Sequence, residues 1–115
     1  MLQSSNRQLS KLSEVEFVSA LSLKIRTGQI AVADAKLIEA QFHSHLKGNY
    51  FNSLSLGMAE FEQAREWIAR FATPLRTLDA LHLAIAHFNQ CELITADQYL
   101  EKSARILGVR CRLIR

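Results

Sequence analysis

The last third of the chain constrains the fold most. It runs P-L-R-T-L-D-A-L-H-L-A-I-A-H, then C-E-L-I-T-A-D-Q-Y-L, then L-G-V-R-C-R-L-I. The pattern reads helix, strand, helix, strand. Short apolar strands alternating with helices imply an α/β fold with a mostly parallel sheet covered on both faces. In such a sheet the rim beyond the carboxyl ends of the strands is where ligands and metals bind. The same stretch brings two acids to that rim. Asp79 falls in the first turn of a helix, and Asp97 falls just past an apolar strand.

Upstream, helices are expected over 13–26, 33–47 and 58–71. Their apolar stripes are Phe17, Val18, Leu21 and Ile25, then Ala35, Ile38, Phe42 and Leu46, then Met58, Phe61, Ala64, Ile68 and Phe71. Gly28 and Gly48 are the expected stops of the first two. Strands are expected over 50–56, 92–96 and 109–114, with a weak candidate over 8–12. Pro74 breaks the chain, and Thr77 looks like the N-cap of a helix over 78–89. That helix is apolar nearly all round, so it should lie deep in the core. Two helices and one weak strand precede residue 50, so the sheet is thin on that side.

With 115 residues the chain is expected to form one domain over 1–115, burying roughly two-thirds of its unfolded surface. One proline, four glycines and 49% apolar residues exclude a disordered or collagen-like chain. A net charge of +3 permits a polyanionic partner without indicating one. Cys91 and Cys111 read as reduced, buried thiols. No secretory leader and no apolar run of about 20 residues is present, which points to a cytoplasmic protein with no membrane span.

Each acid has an ordinary structural explanation. Asp79 can offset the helix dipole, and Asp97 can cap the helix over 98–107. Yet a carboxylate in L-D-A-L-H-L-A-I-A is costly to bury unless a metal or Arg76 pairs with it. If Thr95 and Asp97 continue one strand they share a face, and Thr95 then supports a metal-bound water or holds Asp97 in place. A helical wheel nominates Glu14 rather than Glu16, and spacing does not choose between them. The four histidines read as satisfied or exposed, and Trp67 as a partly buried helix residue. Lys24, Arg26, Arg76, Arg110, Arg112 and Arg115 contribute phosphate contacts if the fold gathers them, Arg26 and Arg76 foremost.

The segments L-R-T-L-D-A-L-H-L-A-I-A, E-L-I-T-A-D-Q-Y-L and A-R-I-L-G-V resemble the C-terminal half of a PIN domain, and within that family the VapC-type toxins of bacterial toxin–antitoxin pairs. L-S-E-V-E-F-V-S-A-L-S-L-K-I-R-T-G resembles the same family's segment around its helix-borne glutamate. The resemblance implies a PIN-like α/β/α sandwich and a metal-dependent endoribonuclease using Mg²⁺ or Mn²⁺. It assigns catalysis and metal ligation to Glu16, Asp79 and Asp97, because E-x-x-S-A-L fits E-F-V-S-A-L. It implies an RNA substrate and a VapB-like antitoxin.

One departure stands out. The family begins with a central strand ending in an aspartate, and no such segment is found here. The chain looks like a PIN domain without its first strand and helix, and Asp34 lies in the wrong element to replace the acid. With three acids, metal affinity should be weak. A sheet without its central strand should rearrange, let the Leu9–Leu12 strand fill the gap, or pair with another copy as a homodimer. The alternative to an enzyme is therefore a weak or inactive remnant that works through antitoxin binding or self-association.

Overall fold

A computed structural model describes residues 2–3, 8–48 and 52–114. The expected strand at 50–56 thus has its first two residues outside the described part, as does Arg115. Among the described residues five strands and five helices follow one another in the order β1 (Leu2–Gln3), β2 (Gln8–Ser10), α1 (Lys11–Arg26), α2 (Val32–Lys47), β3 (Asn52–Leu54), α3 (Met58–Ala69), α4 (Thr77–Phe88), β4 (Leu93–Thr95), α5 (Gln98–Leu107) and β5 (Cys111–Leu113). The fold is a mostly helical α/β/α arrangement around a small sheet.

The sheet order is β3-β2-β1-β4-β5. Pairing is parallel between β2 and β3 and between β4 and β5. The strand β1 is antiparallel to both β2 and β4, in register Leu2↔Leu9 and Gln3↔Leu93. Hence β2, β3, β4 and β5 all point one way, as a mostly parallel sheet requires, and β1 alone runs against them. The middle position is held by β1. The expectation that Leu9–Leu12 fills it is corrected: β2 lies one place out, and Lys11 and Leu12 belong to α1. The cause is local. Ser10 caps α1, its buried hydroxyl accepting the Ser13 N–H at 3.0 Å, so the strand stops there.

The core sits where α3 and α4 meet the sheet and α5. Ala80 through Ala86 of α4 are all buried, together with Leu93, Leu100, Ala104 and Trp67. The all-round apolarity of α4 demands this, because no face of it is suited to water. Several readings of which side chains are buried need correction. Trp67 is 4% exposed and packs its ring edge-on to His87 at 5.7 Å, so it belongs to the core of α3. Met58 and Phe61 face solvent, and Phe71 lies past the end of the helix at 87% exposure. Val18 and Ile38 are also exposed, whereas Phe17 stacks on Phe42 at 4.2 Å and ties α1 to α2.

Helix ends follow the residues found there. Gly108 closes α5 with φ +76°, a left-handed conformation that glycine adopts without a side-chain penalty. Arg70 and Glu66 pair at 2.7 Å one turn apart on the outer face of α3. Thr77 is the first residue of α4 rather than its cap. Arg76 holds the cap position, with no side-chain hydrogen bond. Cys91 is buried, Cys111 is half-buried, and both are reduced thiols. Among the described residues no helix is long and apolar enough to cross a membrane.

Candidate active site

Three elements end or begin at one rim of the sheet. Because β2 and β4 point the same way, their carboxyl ends lie at the same edge. Beyond β2 the chain enters α1, which carries Glu16. Beyond β4 it turns through Ala96 into Asp97. Helix α4 runs down to the start of β4, so its first turn, with Asp79, returns to that rim. Pro74 helps by ending the preceding segment before α4 begins.

Asp97 is the N-cap of α5. Its Oδ1 accepts the N–H of Tyr99 at 2.8 Å and of Leu100 at 3.3 Å. Capping by Oδ1 leaves Oδ2 for another role. The strand ends at Thr95, so Thr95 and Asp97 are not two positions of one strand. The buried Thr95 hydroxyl instead accepts the Asp97 N–H at 3.0 Å, which fixes the turn that presents the carboxylate.

Asp79 is half-buried in the first turn of α4. Burial pushes its carboxyl above the ordinary carboxylate range, and the charge of Asp97 pushes it further; Glu16 adds to this, while His82 and Arg76 pull it back. Glu16 and Asp97 therefore both bear electrostatically on Asp79, with Arg76 as an opposing cation. Asp34 lies exposed in the first turn of α2 and is not among the charges acting on Asp79.

Glu16 and Glu14 are separated by their partners. Glu14 pairs with Lys11 at 3.3 Å. Glu16 reaches into the body of the protein, where its Oε1 meets Nε2 of His82. His82 is wholly buried, and its Nδ1 has no hydrogen-bond partner among the described residues. A histidine inside an apolar run needs a buried polar partner, and that is the signal by which His82 stands out. Its partner lies 66 residues away, so spacing within α4 could not reveal it.

Burial holds the His82 imidazole below its ordinary value of 6.5, against the pull of Glu16. Between the lowered folded value and 6.5 the unfolded chain takes up a proton that the native state refuses. The resulting contribution to stability is fully present above pH 6.5 and is lost as pH falls through that window. We expect thermal stability to drop on acidification below pH 6.5, and this slope to flatten in His82→Gln. An unchanged slope in melts of the variant would remove His82 as its source.

Arg26 does not join the acids. It lies ten residues along α1 from Glu16, about 15 Å at 1.5 Å per residue, and it donates to Ser22 at 2.7 Å. Arg76 does join them, as the residue that leads into α4. Arg110 and Arg112 are occupied elsewhere, with the Gln90 carbonyl at 2.5 Å and Glu92 at 3.5 Å.

The donor set has the chemistry of a hard-cation site: carboxylates whose charges bear on a half-buried acid and raise the cost of ionising it until a cation compensates. As placed, the side chains do not close round one point. Among the described residues no three of His, Cys, Asp and Glu are set to hold an ion together. The set thus fits a divalent cation in donor type but not, as placed among the described residues, in geometry. A family model described as PIN domain matches residues 3–106, which takes in β2, α1, α4, β4 and nearly all of α5. No curated protein matches the chain.

Proposed function

This chain belongs to the PIN domain family, a family of nucleases that bind RNA and generally depend on divalent metals, and we propose that it is an endoribonuclease of the VapC toxin type. What supports this reading is the family match together with the charges of Glu16 and Asp97, which bear on the half-buried Asp79 from separate elements. On this reading Glu16, Asp79 and Asp97 hold Mg²⁺ or Mn²⁺. The bound cation would supply an activated water and stabilise charge developing on an RNA phosphodiester. The chain's own residues do the rest. Asp97 offers Oδ2 while Oδ1 stays on α5, Thr95 keeps the turn in place, and Arg76 meets a phosphate at the rim. Arg26 meets RNA only at a distance from the acids. The working unit is a single PIN-like domain over 1–115, acting in the cytoplasm where RNA is found, held in check by a VapB-like antitoxin and forming a homodimer.

A site of only three acids, open as placed among the described residues, predicts weak metal binding. We expect calorimetry with Mn²⁺ to give a weak isotherm that Asp79→Asn abolishes. Tight, stoichiometric binding, or binding indifferent to Asp79→Asn, would refute the three-acid site.

A second reading is favoured by the open arrangement of the acids. On it the chain is a PIN domain without turnover that keeps the fold and works by binding an antitoxin or another copy. It predicts a folded chain that fails to cleave RNA at saturating Mn²⁺.

A further inference from the structure

His82 and Asp79 stand three residues apart on α4, so they share a face one turn apart, about 4.5 Å along the axis. Asp79 is at the half-open rim and His82 is wholly buried beneath it. Glu16 comes from another helix and binds the lower of the two, through Oε1 only. Its second oxygen has no hydrogen bond among the described residues, and the side chain remains 34% exposed. A carboxylate on a long side chain has several rotamers, and ordering it costs entropy each time a ligand binds. Fastened at one oxygen to a ring packed inside an apolar helix, Glu16 has that cost met on folding.

We propose that His82 is a positioning residue for metal binding: it fastens Glu16 by Oε1 to the buried face of α4 and so leaves Oε2 as the oxygen free to take a metal. This rests on the reading of Glu16 as a metal ligand. His82 touches neither metal nor RNA; it acts through Glu16. Partners of this kind behind a ligand typically govern affinity by about 10- to 100-fold.

Mn²⁺ affinity by calorimetry tests this without reference to cleavage. His82→Met fills the core but cannot donate, whereas His82→Gln keeps a donor near the place of Nε2. We expect His82→Met to bind Mn²⁺ about 10-fold or more weakly, and His82→Gln to recover most of that loss. In a Glu16→Gln background His82→Met should cost nothing further. Equal or tighter binding by His82→Met, or the same loss with Glu16 already replaced, would overturn the proposal. If Glu16→Gln itself leaves Mn²⁺ binding unchanged, the ligand assignment fails, which is a different result. A measurement on the unaltered chain keeps the question decidable should His82→Met not fold. Nitrogen NMR of the His82 ring during Mg²⁺ titration should show the hydrogen bond to Glu16 kept in the loaded state. Its disappearance on loading would mean that the contact competes with the metal.

Discussion

Asp79→Asn is expected to lower Mn²⁺-dependent RNA cleavage by at least about 100-fold, the upper end of what losing a mere outer-sphere partner costs. The substituted amide preserves size and leaves the helix start intact, but it carries no charge. In the native chain burial and the charges of Asp97 and Glu16 raise the Asp79 carboxyl above its ordinary 3.8. An acid with a raised folded value destabilises the native state above the unfolded value, because the native form holds a proton longer than the unfolded one. The neutral variant should therefore be at least as stable as the parent at pH 7, with its advantage shrinking as pH falls toward 3.8. Activity lost together with stability kept or gained is the signature of a charge placed for function. Parallel cleavage assays and thermal melts separate it from unfolding. Retained cleavage would remove Asp79 from the site.

Leu83→Ala is expected to cost about 2–5 kcal/mol of stability, a large share of the ~5–15 kcal/mol available to a domain of this size. Leu83 is fully buried in α4 and lies in the central apolar cluster. Truncation loses the transfer energy of the side chain and leaves a cavity that α3 and β4 cannot collapse to fill. On the same helix Leu78 is 48% exposed, and Leu78→Ala should stay within about 0.5 kcal/mol. Urea melts of the two variants provide the comparison. Equal effects would mean that α4 is not the buried helix described above.

The core was legible in the sequence where the residues admit one solution. Helix α4 is apolar on every side, so burial was its only stable fate. Helix α5 carries its own stops, Asp97 at one end and Gly108 at the other. Helix α3 was harder. Met58, Phe61 and Phe71 keep the period of a core stripe, yet the packed face is Ala64 and Trp67, because contact with α4 rather than periodicity chose it. The two-residue strand β1 carries no pattern at all, and its place in the sheet depends on partners at Leu9 and Leu93.

Of the acids, Asp97 was legible as a cap, a role it fills, and Asp79 as a helix-start acid. Glu16 was not legible from spacing. The wheel favoured Glu14, and only a resemblance to the family pattern chose otherwise. The physical reason is the buried histidine. Glu16 points inward because His82 gives it a partner there, and a wheel counts only apolar neighbours. His82 has its partner on another helix, so comparison with the other histidines does not single it out and only the apolar helix around it does.

The most direct test of a metal-dependent nuclease built on Glu16, Asp79 and Asp97 is cleavage of a mixed RNA by the purified, folded chain, with Mn²⁺, with EDTA, and as Asp97→Asn with Mn²⁺. We expect cleavage with Mn²⁺ alone, stopped by EDTA and lost in the variant. No cleavage by the folded chain at saturating Mn²⁺, or cleavage indifferent to EDTA or to Asp97→Asn, would contradict it.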